Sequence, residues 1–322
     1  MQKTQHTLKI IFFLCIFFST AIAQNKVDEG IKLFDAEKYV AAEEIFAKMV
    51  QSNPNDSQAN YYLGRIYFNL GMQDHALKYL EKAVAIDEGN IDYHLSLAEV
   101  YSAKTRNASF LAAGKWAGKW KGELEKAFEI DPKNLDARRR LINYLLNAPA
   151  IGGGDKEKGK KLAEETIALD EIQGRLLLAY AYRKHNQIEQ AVAEYEKVLS
   201  LDPKNGAAYN ALGYTFLRQK DYAAAEQNFK KQIAVTPDDP NAYDSLGDCY
   251  AERGRMDEAM ALFQKALQTD STFSASRFKL AQAYEKKQMP ETAIYHYEKL
   301  IALTPADSRA DDAAKRVKKL KK

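Results

Sequence analysis

One small or apolar residue returns along this chain at a nearly constant interval. It stands at Gly30, Gly64, Ala98, Ile142, Ala179, Gly213, Gly247 and Ala281. The steps are 34, 34, 44, 37, 34, 34 and 34 residues. Around Gly64 sit Leu63, Tyr67, Gly71, Ala76, Leu80 and Ala83, and this pattern recurs in register in most other segments. A fixed period of this size means a stack of small equivalent units whose core grows with each copy. The 322 residues therefore need not divide into separate closed cores.

The segment 205–236 shows how one unit works. Tyr209, Leu212, Gly213 and Phe216 follow the i, i+3, i+4, i+7 stripe of a half-buried helix starting at Asn205 or Gly206. Gly213 removes a side chain where a partner helix must come close. After Gln219-Lys220-Asp221 a second helix carries Ala225, Phe229 and Ile233, and Pro237 closes the unit. Neither helix hides its stripe alone; stacked neighbours hide both.

These residues resemble the tetratricopeptide repeat, with its Trp or Tyr, Leu-Gly, aromatic, Ala, aromatic, Ala and Pro pattern. Segments 26–54, 58–88, 173–203, 207–237, 241–271 and 275–305 match it well. Two more, beginning near Asp92 and Asp136, agree in the first helix and then depart. The resemblance implies an all-α, right-handed α-solenoid of about eight helix pairs over residues 24–305. Residues 306–322, with Ala310, Ala313, Ala314, Val317 and Leu320 on one stripe, read as a basic capping helix.

The amino terminus is a different object. Lys3 and Lys9 precede an apolar stretch at 10–23 that ends Ala21-Ile22-Ala23 before Gln24. This is the pattern of a signal peptide, 1–23, cleaved after Ala23. The stretch is too short to span a bilayer as a helix. The expected product is exported, periplasmic or secreted; an uncleaved anchor is the alternative. Cys15 leaves with the signal, so Cys249 remains alone and no internal disulfide forms.

Two units are interrupted, around 104–120 and 147–155. The first interruption carries Trp116 and Trp120, four residues apart and so on one helix face. They either fill a gap left by a lengthened second helix or stand out as an aromatic–lysine knob. In the second, Gly154 with Gly159-Lys160 spells the opening of a phosphate-binding loop. Lys161 replaces the required Ser or Thr and a helix precedes it, so nucleotide binding is not expected. A stop at Pro149, a turn at 152–154 and an N-cap at Asp155 account for the same residues.

In this family the first helices line a concave groove, and the resemblance implies that their outward residues touch the partner. In register these are Tyr61, Arg65 and Phe68, then Arg139 and Asn143, then Tyr180, Arg183 and Lys184. Asn210, Tyr214 and Arg218 follow, and then Asp244 and Asp248. A basic, aromatic middle and an acidic end suit a peptide of complementary charge order. Ordinary solvated side chains would look the same. Arg139 and Asn143 match the first members of the clamp some relatives use for a peptide carboxyl terminus. Leu177, Ala207 and Ala211 leave that clamp incomplete.

No chemistry is expected. His75, His94, His185 and His296 are scattered without metal-ligand spacing, and no cofactor motif occurs. With 47 Lys and Arg against 44 Asp and Glu, nothing draws the chain to nucleic acid. The expectation is a scaffold, not an enzyme, holding a protein or peptide partner in an envelope complex. The alternative is a lipid- or polysaccharide-binding protein at the envelope surface, acting through Trp116, Trp120 and the basic tail 315–322.

Overall fold

The computed structural model describes residues 25–305 and 307–322. The expected signal segment, 1–23, and Cys15 within it lie outside the described residues. No strand occurs among the described residues, and no helix of them is long and apolar enough to cross a membrane.

Helices come in pairs, as the period requires. The first repeat joins α1 (25–35) to α2 (Tyr39–Ser52), and the second joins α3 (Ser57–Asn69) to α4 (Gln73–Ile86). The third consists of α5 (Ile91–Asn107) and α6 (Phe110–Ile130), the fourth of α7 (Leu135–Asn147) and α8 (Lys156–Thr166). Then come α9 (Glu171–Lys184) with α10 (Ile188–Leu201), and α11 (Gly206–Arg218) with α12 (Tyr222–Val235). The last pairs are α13 (Pro240–Glu252) with α14 (Met256–Thr269), and α15 (Ser274–Lys286) with α16 (Pro290–Leu303). A final helix, α17 (Ala310–Leu320), ends the array. The chain forms two compact bodies, one up to Lys104 and one from Thr105, parted in the last turn of α5.

The turn inside each regular repeat obeys one rule. Glu37, Gly71, Asn186, Lys220, Gly254 and Gln288 all hold positive φ, between 57° and 76°. The next residue donates its N–H five residues back in the helix-ending pattern, as Asp221 does to the Phe216 carbonyl (3.0 Å) and Gln187 to Tyr182 (2.9 Å). Asp56, Asn134, Asp170 and Asn205 then cap the following first helices, each accepting from the N–H three residues on.

The repeating small residue is a point of close approach. A Cβ on Gly64 would lie 2.5 Å from Leu80, and one on Gly247 would lie 2.5 Å from Phe263. The same offset of sixteen positions pairs Gly30 with Phe46 and Gly213 with Phe229, and Phe46, Leu80 and Phe229 are completely buried. The cores also run from one repeat to the next: Leu217, Ala225 and Phe229 join Leu246 and Cys249. Burying one such side chain stabilises by about 1.5–3 kcal/mol. Cys249 fills a small apolar place there, and burial pushes its thiol up.

The interruptions take specific forms. The third repeat lengthens both helices, to 17 and 21 residues, where a regular second helix has 14. In the fourth, Pro149 leads into a 3-10 turn at Ala150–Gly152, and Asp155 caps α8 by accepting from Lys158 N–H at 2.9 Å. At the end, Ala310 and Ala313 of α17 are buried with Tyr297 and Leu300. Ala314, expected on the same stripe, is exposed, because the α17 contact face runs through 310, 313, 317 and 320.

Candidate functional site

Five of the residues expected to meet a partner converge on one groove between repeats five and six. Tyr180 and Arg183 come from α9, and Tyr214 and Arg218 stand at i and i+4 on α11. They line a cavity of about 460 Å³, together with Asn210 of α11 and Tyr195 of α10. Tyr180 and Tyr214 occupy the same position in consecutive repeats, so the period itself aligns their rings.

The groove is electropositive. The Arg183 guanidinium lies 5.4 Å from the centre of the Tyr180 ring, and the Lys184 ammonium lies 5.5 Å from it. Arg218 is exposed at the rim. The Arg183 Nε is buried without a hydrogen-bond partner. Tyr195, which sequence reasoning missed because it sits on a second helix, forms the floor; burial pushes its hydroxyl up. The Tyr180 hydroxyl donates to Asn147 Oδ1 at 2.7 Å.

The other side of the groove is held by internal polar bonds. Asn210 Nδ2 donates to Gln232 Oε1 at 3.0 Å and to Ser245 Oγ at 2.7 Å. The Tyr214 hydroxyl donates to Asp248 at 2.8 Å. Asp244 accepts from Ser276 Oγ at 2.7 Å and from Lys279 Nζ at 2.6 Å, and Lys279 also reaches Asp248 at 2.6 Å. Burial pushes the Asp248 carboxyl up, and nearby Asp244 adds to this, against the pull of Lys279. Asp244 was expected on the binding face. At 3% exposure, with its oxygens taken by Ser276 and Lys279, it is a structural residue instead. The acidic end of the sequence pattern is therefore largely neutralised within the protein.

The remaining candidates lie elsewhere. Arg139 is exposed and ion-paired with Asp136 one turn earlier; Asn143 is half-buried nearby on α7. Tyr61, Arg65 and Phe68 belong to the amino-terminal body. There Tyr61 stacks on Tyr93 with ring centres 4.7 Å apart, and Arg65 Nη1 donates to the Tyr61 hydroxyl at 2.8 Å. Arg65 also sits 5.2 Å from the Phe34 ring centre, and Phe68 is half-buried.

The tryptophans are half-buried. Trp120 meets the Tyr144 ring edge-on, with centres 4.8 Å apart. In the tail, Arg316 pairs with Glu285 and Asp312, both at 3.0 Å, and Lys321 pairs with Glu298 at 2.6 Å. Among the described residues no group of three or more His, Cys, Asp or Glu could hold a metal ion.

Tetratricopeptide repeat profiles match residues 33–99, 179–220, 204–272 and 250–317. Much of the third repeat and all of the fourth fall between these matches. The chain is similar to a DnaJ homolog subfamily C member 3 homolog of Dictyostelium discoideum, 24% identical over 54% of this chain and 36% of that protein. It is also similar to Hsp70-Hsp90 organizing protein 3 of Arabidopsis thaliana, 26% identical over 50% of this chain and 27% of that one. The match thus spans roughly a third of these relatives' own length. The crystal structure of yeast Tom70 shares the fold, with a TM-score of 0.65 and 15% identity over 88% of this chain and 59% of that one. Paired helices at a 34-residue period, the packing glycines and the profile matches together settle the matter: the chain belongs to the tetratricopeptide repeat family.

Proposed function

We propose that this protein is an exported interaction scaffold. It holds a polypeptide partner along the first helices of repeats five and six and so assembles an envelope complex. The observation that carries the reading is the groove itself. Tyr180, Arg183, Tyr214 and Arg218 converge there, with one guanidinium nitrogen buried and unpartnered. Large aromatic and arginine side chains in a recess dominate recognition energies. Cations flanking an aromatic wall favour an acidic segment, which would pair with the guanidinium groups and be steered in by the field.

The family context supports the class of function. One relative is named as an organizing protein for Hsp70 and Hsp90, an assembly role, which comes to this chain only as a model for its own. The export half of the proposal rests on the basic, apolar and small-residue order of residues 1–23. It predicts a product that begins at Gln24 when the amino terminus of the exported chain is sequenced.

The groove is tested by substituting Tyr180, Arg183 and Tyr214 together by Ala. The tagged variant should lose the proteins that the wild type captures from its envelope fraction, and should no longer bind a short Glu-rich peptide. An unchanged capture profile and unchanged peptide affinity would reject the groove.

A further inference from the structure

The two places where the repeat is broken meet in space, and together they build a second recess. It lies within the carboxy-terminal body and has a volume of about 560 Å³. Ala113, Ala117 and Trp120 of the lengthened α6 form one wall; Tyr144, Pro149 and Ile151 of the interrupted fourth repeat form the other. The Tyr144 hydroxyl ties the walls together, reaching the Ala117 carbonyl at 3.1 Å and the Gly152 carbonyl. Both interruptions supply lining. Ile151, at the mouth, is 93% exposed, an unusual position for an isoleucine.

The chemistry of the lining limits what can enter. Its surface is overwhelmingly apolar, and its polar side-chain groups belong to Thr105, Tyr144, Asn147 and the indole N–H of Trp120. The Asn147 Oδ1 is occupied by the Tyr180 hydroxyl, and the Tyr144 hydroxyl is occupied by backbone. Convergent polar groups ordinarily hold and orient a free small molecule, so in a lining this apolar an untethered apolar group would bind only weakly, at high concentration. An apolar group delivered by a chain already held next door needs no such groups, because tethering raises its effective concentration. The neighbour is at hand: Asn147 lines this recess, and its partner Tyr180 lines the basic groove.

We propose that the recess is the anchor site for a bulky apolar side chain, of the Leu or Phe kind, on the same polypeptide whose acidic stretch lies along Tyr180, Arg183 and Arg218. This rests on the groove reading above and adds the partner's second requirement: a large apolar residue within reach of an acidic run. The volume is ample for one such side chain and part of its flank.

Gly114 provides a clean test. It lines the recess, and a Cβ placed on it would meet no atom within 4 Å. Gly114→Leu should therefore plug the recess without disturbing the fold, as a circular dichroism melt no lower than that of the wild type would verify. The first measurement uses N-acetyl-phenylalaninamide on the full chain, with methyl NMR at Ala113, Ala117 and Ile151. The second compares two short Glu-rich peptides, one with Phe at both ends and one with Ser there.

The expected result is shifts at those methyls in the wild type and none in Gly114→Leu, with the Phe peptide at least about tenfold tighter than the Ser peptide in the wild type only. If the methyls do not move, or both peptides bind equally, the anchor is refuted, even where binding still depends on Arg183 and Arg218. If the methyls move but neither peptide binds, the groove reading fails, and the claim of one shared partner fails with it.

Discussion

The Tyr214 hydroxyl donates a 2.8 Å hydrogen bond to the carboxylate of Asp248, its counterpart one 34-residue repeat later. Equivalent positions on successive first helices are thus joined by side chains as well as by packing. Lys279, a further repeat along, bridges Asp244 and Asp248. Three consecutive repeats are bound through one polar chain.

That chain gives a graded stability prediction. Tyr214→Phe removes one donor from the half-buried Asp248 carboxylate and should cost about 1–2 kcal/mol. Lys279→Met strips the counter-ion from two carboxylates and should cost about 3–5 kcal/mol. Urea unfolding followed by circular dichroism measures both. Equal losses, or none, would show that the polar chain adds nothing to stability.

The small residue of the repeat makes a second, opposed pair. Gly213→Ala presses a methyl into the Phe229 ring and should destabilise by about 1–3 kcal/mol. Gly114→Ala, in a helix with open space around it, should stabilise by about 0.5–1 kcal/mol. The sign difference, read from thermal midpoints of the two variants, is the check. Two destabilised proteins would contradict the packing described for α6.

His296 supplies a pH dependence. Its ring stacks on Tyr284 with centres 5.5 Å apart, and its Nδ1 is buried without a partner. Burial, and then the charges of Arg277 and Lys299, lower its pKa from 6.5 to about 4. As pH falls the unfolded chain takes up this proton first. The stability the neutral ring contributes is complete above 6.5 and is lost as pH drops towards about 4. The slope of the melting temperature over that window should flatten in His296→Phe, which keeps the stack and cannot titrate. An identical slope in the variant would remove His296 from the account.

Charge reversal probes the groove. Arg183→Glu with Arg218→Glu should weaken a Glu-rich peptide by a factor of ten or more, on the order of 1.4 kcal/mol or above. Raising salt should weaken the wild type and change the variant little. Fluorescence anisotropy at two ionic strengths decides this, and a salt-independent wild type would refute an electrostatic groove.

The period made the helix pairs, the capping residues and the close-approach glycines legible, because each follows from one register repeated. Tyr180, Arg183, Tyr214 and Arg218 could be found for the same reason. Asp244 could not be judged so, because its burial depends on Lys279 and Ser276, which lie 35 and 32 residues away on another helix. Tyr195 was hidden by the assumption that only first helices face the groove. The recess beside Trp120 was beyond reach for a different reason. It arises where the register fails twice, and nothing in either interruption names the other until Tyr144 joins them.

Four of the six left-handed turn positions hold a residue other than glycine: Glu37, Asn186, Lys220 and Gln288. A side chain in that conformation strains the backbone by about 1–2 kcal/mol, less for Asn, whereas glycine there loses about 0.5–1 kcal/mol of chain freedom. Each elbow of the array can accordingly be stiffened or slackened by one substitution that touches no core residue and no partner. The molecule carries a set of independent adjusting screws, one in each of its six regular repeats, by which its span could be retuned without rewriting what it grips.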